Sequence, residues 1–300
     1  MEKLNFKVDF DSIGLRIDKY IVSNLQEKSR SYIKFLIDNG YVLVNNEKVK
    51  SHYLIKENDV ISVELYEKEV LTELKPEDIP INIVYEDDYL IVIDKKSNMV
   101  VHPGVGNMTG TLVNALLFYC GNLPEVENGQ MRPGIVHRLD KDTTGLIVVA
   151  KNKKAFKSLA KQFQKRAVKK GYLALVKGVV QLDNGIIEEP LARNIVDRKK
   201  MEIDYMRGRY AKTVYHVIRR FKKFTFLKLD IMTGRTHQIR VHMKSIGYPV
   251  LGDVTYGNVD KYPRQMLHAQ MLGFCHPYTG KNVMFFSKMP IVMVDVIKNR

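Results

Sequence analysis

The 300-residue chain is long enough for two folded domains. Its composition, with 45% hydrophobic and 27% charged residues, argues against long disordered or low-complexity tracts. Its 48 lysines and arginines exceed its 33 aspartates and glutamates, and the net charge of +15 favours a polyanionic partner such as nucleic acid or an acidic membrane surface. No apolar run approaches the ~20 residues that span a bilayer, and the first residues lack a signal-peptide core. A soluble, cytoplasmic protein without membrane association is therefore expected.

The positive charge is concentrated in the C-terminal part of the sequence. Residues 1–65 contain ten basic and ten acidic side chains, and residues 66–80 contain two and five. The remaining 36 basic and 18 acidic side chains lie in residues 81–300. A polyanion is therefore expected to bind mainly to this long C-terminal part.

The first 65 residues predict two short helices followed by a small sheet. In RIDKYIVSNL the apolar residues recur at helical spacing, and Ser29 stands where it can cap a second helix that Gly40 ends. The turn pair Asn45 and Asn46 predicts a hairpin in YVLVNNEKVK, and DVISVEL predicts a further strand.

This segment resembles the small RNA-binding domain named after ribosomal small-subunit protein S-four, in which a helix pair and a hairpin present basic residues to structured RNA. RIDKYI and SRSYIKFLIDNGYVLVNNEKVK carry the resemblance, which covers about residues 13–66. It implies an RNA-binding domain in residues 1–66. The candidate RNA contacts are the basic residues of the two helices, Arg16, Lys19, Lys28, Arg30 and Lys34.

Residues 67–80 are predicted to be a linker, because they are acidic, contain two prolines and show no sustained period. A second domain, residues 81–300, is predicted to begin with two strands around a turn in INIVYEDDYLIVIDKK and a helix that starts near Thr111. Strands GLIVVAK and YLALVKGVV then flank another helix. The apolar side of that helix contains Phe156, Leu159, Phe163 and Ala167.

The helix between those strands carries a stripe of positive charge. Lys153, Lys157, Lys161 and Lys165 recur every four residues and so lie along one helix face. A solvated face is the commonest reason for such lysines, but like charges at this spacing repel each other, and no alternating Asp or Glu compensates them. The pattern favours contact with phosphates.

The segment GIVHRLDKDTTGLIVVAKN combines a polar loop, residues 137–145, with an apolar strand. Asp140 lies in this loop between Arg138 and Lys141. A carboxylate that acts as a nucleophile or a base must be ionised, and cations nearby favour the ionised form. Because loops on rigid scaffolds often carry function, Asp140 is the candidate catalytic carboxylate.

Two later segments supply candidate partners for this carboxylate. In TGRTHQIRVHMKSIGYP, Thr236 is predicted to cap a helix that ends at Gly247. His237 and Arg240 then lie on a stripe suited to pairing with an anion. In KKGYLALVKG, Tyr172 lies on a strand, either as a core residue or as a ring that stacks on an extruded base.

Together, HRLDKDTTGLIVVAK, KKGYLALVKG and TGRTHQIRVH resemble, in order and in spacing, the signature motifs of the RluA-type ribosomal RNA pseudouridine synthases (RluC/RluD-like). VHPG, GYPVLGDVTYG and QMLHAQMLGFCHP extend the resemblance, which runs from about residue 80 to the C-terminus. It implies an α+β catalytic domain with a mixed, mainly antiparallel sheet and a central cleft.

The resemblance also implies roles for individual residues. Asp140 matches the family's catalytic aspartate, Tyr172 its active-site tyrosine, and Arg240 the arginine that pairs with the aspartate. Arg138 matches the residue that fills the space left by the flipped nucleotide. The same motifs imply a supporting loop set of His137, Lys141, Thr144, Gly145, Arg235 and His237. Thr144 stands where the family more often has serine, which offers the same hydroxyl.

The reaction that the resemblance implies needs no cofactor. The glycosidic bond of uridine is broken, the uracil rotates within the pocket, and its C5 is joined to the ribose. Nothing is oxidised, and Cys120 and Cys275 lack metal-site spacing and are expected to be buried, so neither a metal nor a cofactor is expected. Asp140 could attack ribose C1′, abstract a ribose proton to give a glycal-like intermediate, or add to C6 of the base.

Two other functions compete with this interpretation. Residues 104–110, GVGNMTG, follow a strand and open a helix as a dinucleotide-binding loop does, but their spacing is GxGxxxG and no acidic residue follows at a strand end. A non-catalytic RNA-binding or ribosome-assembly factor would also account for the charge. Such a factor does not need a carboxylate between two cations on an RNA-facing surface, so Asp140, Tyr172 and Arg240 together favour the enzyme.

The expected partner is RNA. By resemblance the substrate is uridine in large-subunit ribosomal RNA, either free or in an assembling large ribosomal subunit, and transfer RNA remains an alternative. The target base is stacked in helical RNA and must be turned out into the pocket, at a cost of about a few kcal/mol. The enzyme is expected to act as a monomer.

Overall fold

The computed structural model describes residues 2–25, 30–65, 74–104, 107–124, 132–257 and 262–299, which form two compact units. The described residues up to 65 make up the smaller unit, and those from 74 onward make up the larger one. Each unit has a hydrophobic core of its own. Within the described ranges, no helix is long and apolar enough to cross a membrane.

The smaller unit is an antiparallel sheet packed against two helices. Its elements are β1 (Glu2–Lys7), α1 (Ile17–Asn24), α2 (Arg30–Asp38), β2 (Val42–Val44), β3 (Glu47–Lys48) and β4 (Val60–Leu65). The strand order is β1-β4-β2-β3. Strand β1 was not predicted from the sequence; it pairs with β4 along its whole length.

Local turn chemistry sets the boundaries of these elements. Gly40, with a φ of +79°, follows the end of α2, and Asn45 and Asn46, with φ of 51° and 69°, join β2 to β3. Asparagine tolerates a positive φ, and two such residues in a row make the tight turn that matches strand twist. The predicted helix end and hairpin are therefore confirmed.

The larger unit is built on a nine-stranded sheet. Its strands and those of a small separate ribbon are β5 (Ile83–Glu86), β6 (Leu90–Lys95), β7 (Thr144–Ala150), β8 (Lys169–Lys177), β9 (Asn184–Glu188), β10 (Leu191–Arg193), β11 (Met201–Ile203), β12 (Lys212–Arg220), β13 (Phe224–Ile231), β14 (Leu267–Cys275) and β15 (Asn282–Phe286). The helices are α3 (Leu112–Cys120), α4 (Lys153–Gln164), α5 (Gln238–Ser245) and α6 (Ile291–Lys298).

The sheet follows the order β5-β6-β7-β14-β8-β13-β12-β9, β15 also pairs with β14, and β10 pairs with β11 in the ribbon. Strands β7 and β14 run parallel, and the other described pairs run antiparallel. The predicted α+β class and the mixed, mainly antiparallel sheet are therefore confirmed.

Strand β7 is buried along its whole length because helices cover both faces of the sheet there. Leu146 and Val148 pack in a core cluster with residues of α4, and Ile147 and Val149 pack in another with residues of α3. Side chains of a strand alternate between its two faces, so a strand covered on both sides is apolar throughout. This burial fixes the loop that precedes β7, which contains Asp140.

Gly145 allows two central strands to approach each other closely. Its φ is +113°, and a Cβ at this position would lie 2.2 Å from the carbonyl oxygen of Ala269 on β14. We expect Gly145→Ala to lower the free energy of unfolding by about 2–5 kcal/mol, because the added methyl group must displace backbone in a strained conformation. Thermal unfolding measures the loss. Gly104→Ala is the control, since a Cβ there meets no atom within 4 Å, and equal stability of the two variants would contradict this expectation.

Candidate active site

A cleft opens in the larger unit, between the loop before β7, the turn before α5 and one face of β8. It brings together most of the residues that the motifs singled out. The predicted site residues that line it are Arg138, Asp140, Tyr172, Arg235, His237 and Arg240.

An ion pair lies at the centre of the cleft. Arg240 donates from Nη1 to Oδ2 of Asp140 over 3.1 Å, although the two residues are 100 positions apart in the sequence. The side chain of Asp140 is 17% exposed and that of Arg240 is 8% exposed. The carboxylate is therefore accessible to a bound molecule, whereas the guanidinium is held behind it.

Asp253, which the sequence analysis missed, holds this arginine from the other side. Its Oδ2 accepts from Nε of Arg240 over 2.7 Å and its Oδ1 accepts from Nη2 over 2.8 Å, and its side chain is fully buried. The backbone N–H groups of Thr255 and Tyr256 also donate to Oδ1. Burial opposes its ionisation, but Arg240 and these donors outweigh burial and lower the pKa of Asp253.

Arg240 is thus a fixed cation between two carboxylates. Burial alone would lower the pKa of Arg240, but Asp253 and then Asp140 outweigh it and raise the pKa well above its ordinary value. A guanidinium that donates two parallel hydrogen bonds to one carboxylate has a defined orientation. The remaining Nη1 is thereby aimed at Asp140.

The turn before α5 differs from its prediction. Thr236 does not cap the helix: the N-cap residue is His237, with a φ of 56° and no capping side-chain bond. Gln238 anchors the turn instead, since its Oε1 accepts from Thr233 and from the backbone N–H of Arg235. The left-handed backbone at His237 turns the imidazole toward the cleft, which helix-cap statistics do not anticipate.

His237 stands beside the carboxylate, with its Nε2 3.9 Å from Oδ2 of Asp140. Its Nδ1 lies 2.7 Å from the hydroxyl of Tyr256, and that hydroxyl accepts from the backbone N–H of Met201. Burial lowers the pKa of His237 despite the opposing charge of Asp140, so the ring is neutral at neutral pH.

Tyr172 forms part of the cleft wall from the middle of the sheet. It lies on β8 between Leu229 of β13 and Ala269 of β14, and its side chain is buried. Burial first, and the charge of Asp140 second, raise the pKa of its hydroxyl. The phenol is therefore neutral and keeps its proton near the carboxylate.

Four residues predicted as a supporting loop do not line the cleft: His137, Lys141, Thr144 and Gly145. His137 packs against the sheet, where its Nε2 accepts from the backbone N–H of Val148 and its ring stacks on Phe163 of α4 at 4.5 Å. Burial lowers the pKa of His137 to about 3, so the ring is neutral. Thr144 and Gly145 belong to β7 rather than to a loop.

Lys141 contributes its backbone rather than its side chain. The buried ammonium of Lys95 donates to the carbonyl oxygens of Lys96, Met99 and Lys141 over 2.8, 2.9 and 3.0 Å. Three acceptors match the three hydrogens of an ammonium group. This contact holds the chain next to Asp140, and the sequence analysis did not single out Lys95.

The predicted RNA contacts of the smaller unit form a separate set. Arg16 binds Asp18 through two bonds of 3.0 Å, and Lys19 and Lys34 are exposed on α1 and α2. Lys28 and the side chain of Arg30 lie outside the described residues. The exposed lysines are available to a phosphate, whereas Arg16 already has an acidic partner.

In the described part of the chain, no cluster of three or more His, Cys, Asp or Glu side chains could hold a metal ion. Cys120 and Cys275 are free thiols. Both are half-buried, whereas full burial was expected.

Comparison with known proteins gives consistent similarities. The chain matches the family described as RNA pseudouridylate synthase over residues 89–245 and the S4 domain over residues 15–61. It is 42% identical to an uncharacterized RNA pseudouridine synthase of Bacillus subtilis, with 100% of this chain and 98% of that protein covered. It is also 42% identical to the ribosomal large subunit pseudouridine synthase D of Zymomonas mobilis, with 93% and 92% covered.

A solved structure is similar as well. Human RNA Pseudouridylate Synthase Domain Containing 1 superposes with a TM-score of 0.58 at 28% sequence identity. The similarity covers 72% of this chain and 85% of the human chain.

Proposed function

This chain belongs to the RNA pseudouridylate synthase family, and we propose that Asp140, Tyr172 and Arg240 carry out its isomerisation of uridine to pseudouridine in RNA. The observation that carries the proposal is the 3.1 Å ion pair between Asp140 and Arg240 within the cleft. This contact holds the carboxylate in the cleft, where it can act as a nucleophile or a base.

The carboxylate of Asp140 can serve each of three routes. It can attack ribose C1′, remove a ribose proton to give a glycal-like intermediate, or add to C6 of uracil. In every route negative charge moves away from the carboxylate toward the substrate or the detached base. Arg240 and the imidazole of His237 lie where they can interact with that charge, because Nη1 of Arg240 and Nε2 of His237 both lie within 4 Å of the carboxylate.

Tyr172 is proposed to act as a neutral group. Its raised pKa keeps the phenolic proton in place, so the hydroxyl can donate a hydrogen bond and the ring can pack against the uracil. Stacking of an aromatic ring on a base is worth roughly 1–3 kcal/mol. This contact supports the base while it is detached and must rotate before C5 meets the ribose.

The position of the carboxylate supports entry of one flipped nucleotide. The side chain of Asp140 is 17% exposed and lies within the cleft, so a base that stays stacked in a helix cannot reach it. The target uridine must therefore leave its stack, as in other enzymes that act on bases. Arg138, exposed at the cleft, is proposed to occupy the space that the uridine vacates.

We propose that the substrate is large-subunit ribosomal RNA, either free or in an assembling large subunit. Two relatives of similar length are named ribosomal large subunit pseudouridine synthase D. Residues 1–66 are proposed to dock RNA, residues 67–80 to link, and residues 81–300 to catalyse. We propose that the protein acts as a monomer. Action on ribosomal RNA is expected in the cytoplasm.

Tritium release from RNA labelled at uridine C5 tests the reaction. Joining C5 to ribose expels the C5 hydrogen, so the protein is expected to release tritium from large-subunit ribosomal RNA transcripts. RNA labelled at uridine C6 is the matched control, because that hydrogen stays on the product. Absence of release from either RNA, while the RNA is bound tightly, would favour a ribosome-assembly factor without catalysis.

A further inference from the structure

Helix α4 carries a line of lysines on its outer surface. Lys153, Lys157, Lys161 and Lys165 are all exposed, while Ala155 and Leu159 on the opposite side are buried in the core. With a rise of 1.5 Å per residue, the line is about 18 Å long. It therefore spans the length of several phosphates of a nucleic-acid strand.

The helix and the residues next to it contain no acidic side chains of their own. Residues 152–171 contain eight lysines and arginines and no Asp or Glu. Lysines four positions apart repel each other, and Lys153 stands at the positive end of the helix dipole. A helix that needed only solubility would gain from alternating acidic residues, so the sequence pattern favours an anionic binding partner.

Helix α4 lies on the same face of the sheet as the cleft. Val168 directly precedes β8, and Tyr172 lies four positions further on within the strand, so the two side chains point to one face of the sheet. Val168 packs in the core cluster under α4, and Tyr172 lines the cleft. One bound molecule can therefore contact both the line of lysines on α4 and the carboxylate of Asp140.

A chain of basic residues joins the stripe to the cleft. Arg166, just beyond Lys165, lies with its guanidinium carbon 5.2 Å from the ring centre of Tyr210. Arg235, which lines the cleft, donates from Nε to the carbonyl oxygen of Tyr210 over 3.1 Å. Lys170 donates to the carbonyl oxygen of Thr233 in the same region. Positive charge is thus continuous from α4 to the catalytic carboxylate.

We propose that the exposed face of α4 is a second RNA-binding surface, which holds backbone phosphates of the substrate RNA outside the flipped nucleotide. This inference rests on the proposed function, because it takes the RNA in the cleft as the molecule that continues over Arg166 onto α4. The surface contributes affinity that does not depend on sequence, since lysines contact phosphates as point charges.

The test is a variant with four changes, Lys153→Gln, Lys157→Gln, Lys161→Gln and Lys165→Gln, in the full chain. Glutamine retains helix propensity and removes the charge. The control removes the same charge from four exposed lysines near α6, which packs against the other face of β8, at Lys222, Lys223, Lys288 and Lys298. Dissociation constants for a large-subunit ribosomal RNA transcript are measured at several salt concentrations, together with kcat and KM.

The α4 variant is expected to bind the transcript at least about tenfold more weakly near 0.1 M salt, with a salt slope shallower by about 2–4. Its KM rises and its kcat at saturating RNA stays within about twofold of wild type, because these contacts are equal in the ground and transition states. The α6 control retains the wild-type slope.

Equal slopes and affinities for the two variants would overturn the inference. Unchanged RNA affinity combined with lost binding to phosphatidylglycerol vesicles would assign the stripe to a membrane surface instead. The binding comparison does not require turnover. If the wild-type protein released no tritium, the proposed function would fail, while the two salt slopes would still decide whether α4 binds RNA.

Discussion

Asp140→Asn is expected to abolish turnover, by roughly 10³-fold or more, while RNA binding stays intact. The amide is almost isosteric with the carboxylate but can neither act as a base nor form a covalent bond to the substrate. Arg240 keeps its two bonds to Asp253, so the cleft should retain its shape. Tritium release from C5-labelled RNA measures turnover, and a filter-binding titration measures affinity.

Asp142→Asn is the matched control for this substitution. Asp142 lies two positions along the same loop but does not line the cleft. Its amide variant is expected to retain turnover within a few-fold of wild type. Asp140→Asn with wild-type turnover would remove the carboxylate from all three routes, and equal losses in both variants would point to damage of the loop rather than to lost chemistry.

Much of the fold could be predicted because local patterns and tertiary structure agree. The hairpin at Asn45 and Asn46 and the helix that starts after Thr111 follow from turn and capping chemistry close in sequence. Strand β1 was overlooked, although its sequence carried a signal. Leu4, Phe6 and Val8 alternate with polar residues and pack against the core of the smaller unit, and the strand pairs with β4, about 60 residues away.

The site was predictable where a residue acts within its own motif and was missed where contacts span the chain. Asp140 and Arg240 stand in distinctive segments, but their distance of 3.1 Å depends on the packing of α5 against the sheet. Asp253 stands in an otherwise apolar stretch, PVLGDV, and a carboxylate between apolar residues was the available signal. Lys95 gave a similar signal at the end of an apolar strand.

Asp253→Asn is expected to lower kcat by about 100-fold with a much smaller change in KM. The variant loses the charge that fixes Arg240, and an amide can accept at one position only, so the guanidinium is free to turn away from Asp140. Breaking a buried ion pair also destabilises the fold, by about 3–5 kcal/mol. Turnover is therefore measured at a temperature where circular dichroism shows the variant to be folded.

A double-mutant cycle separates positioning from a general loss of stability. If Asp253 acts through Arg240, Asp253→Asn should cost little further turnover once Arg240→Gln has removed the guanidinium, because the two residues belong to one unit. Additive losses in kcat would show that Asp253 affects the reaction independently of Arg240. Full kcat in folded Asp253→Asn would mean that the 3.1 Å contact to Asp140 holds without the buried carboxylate.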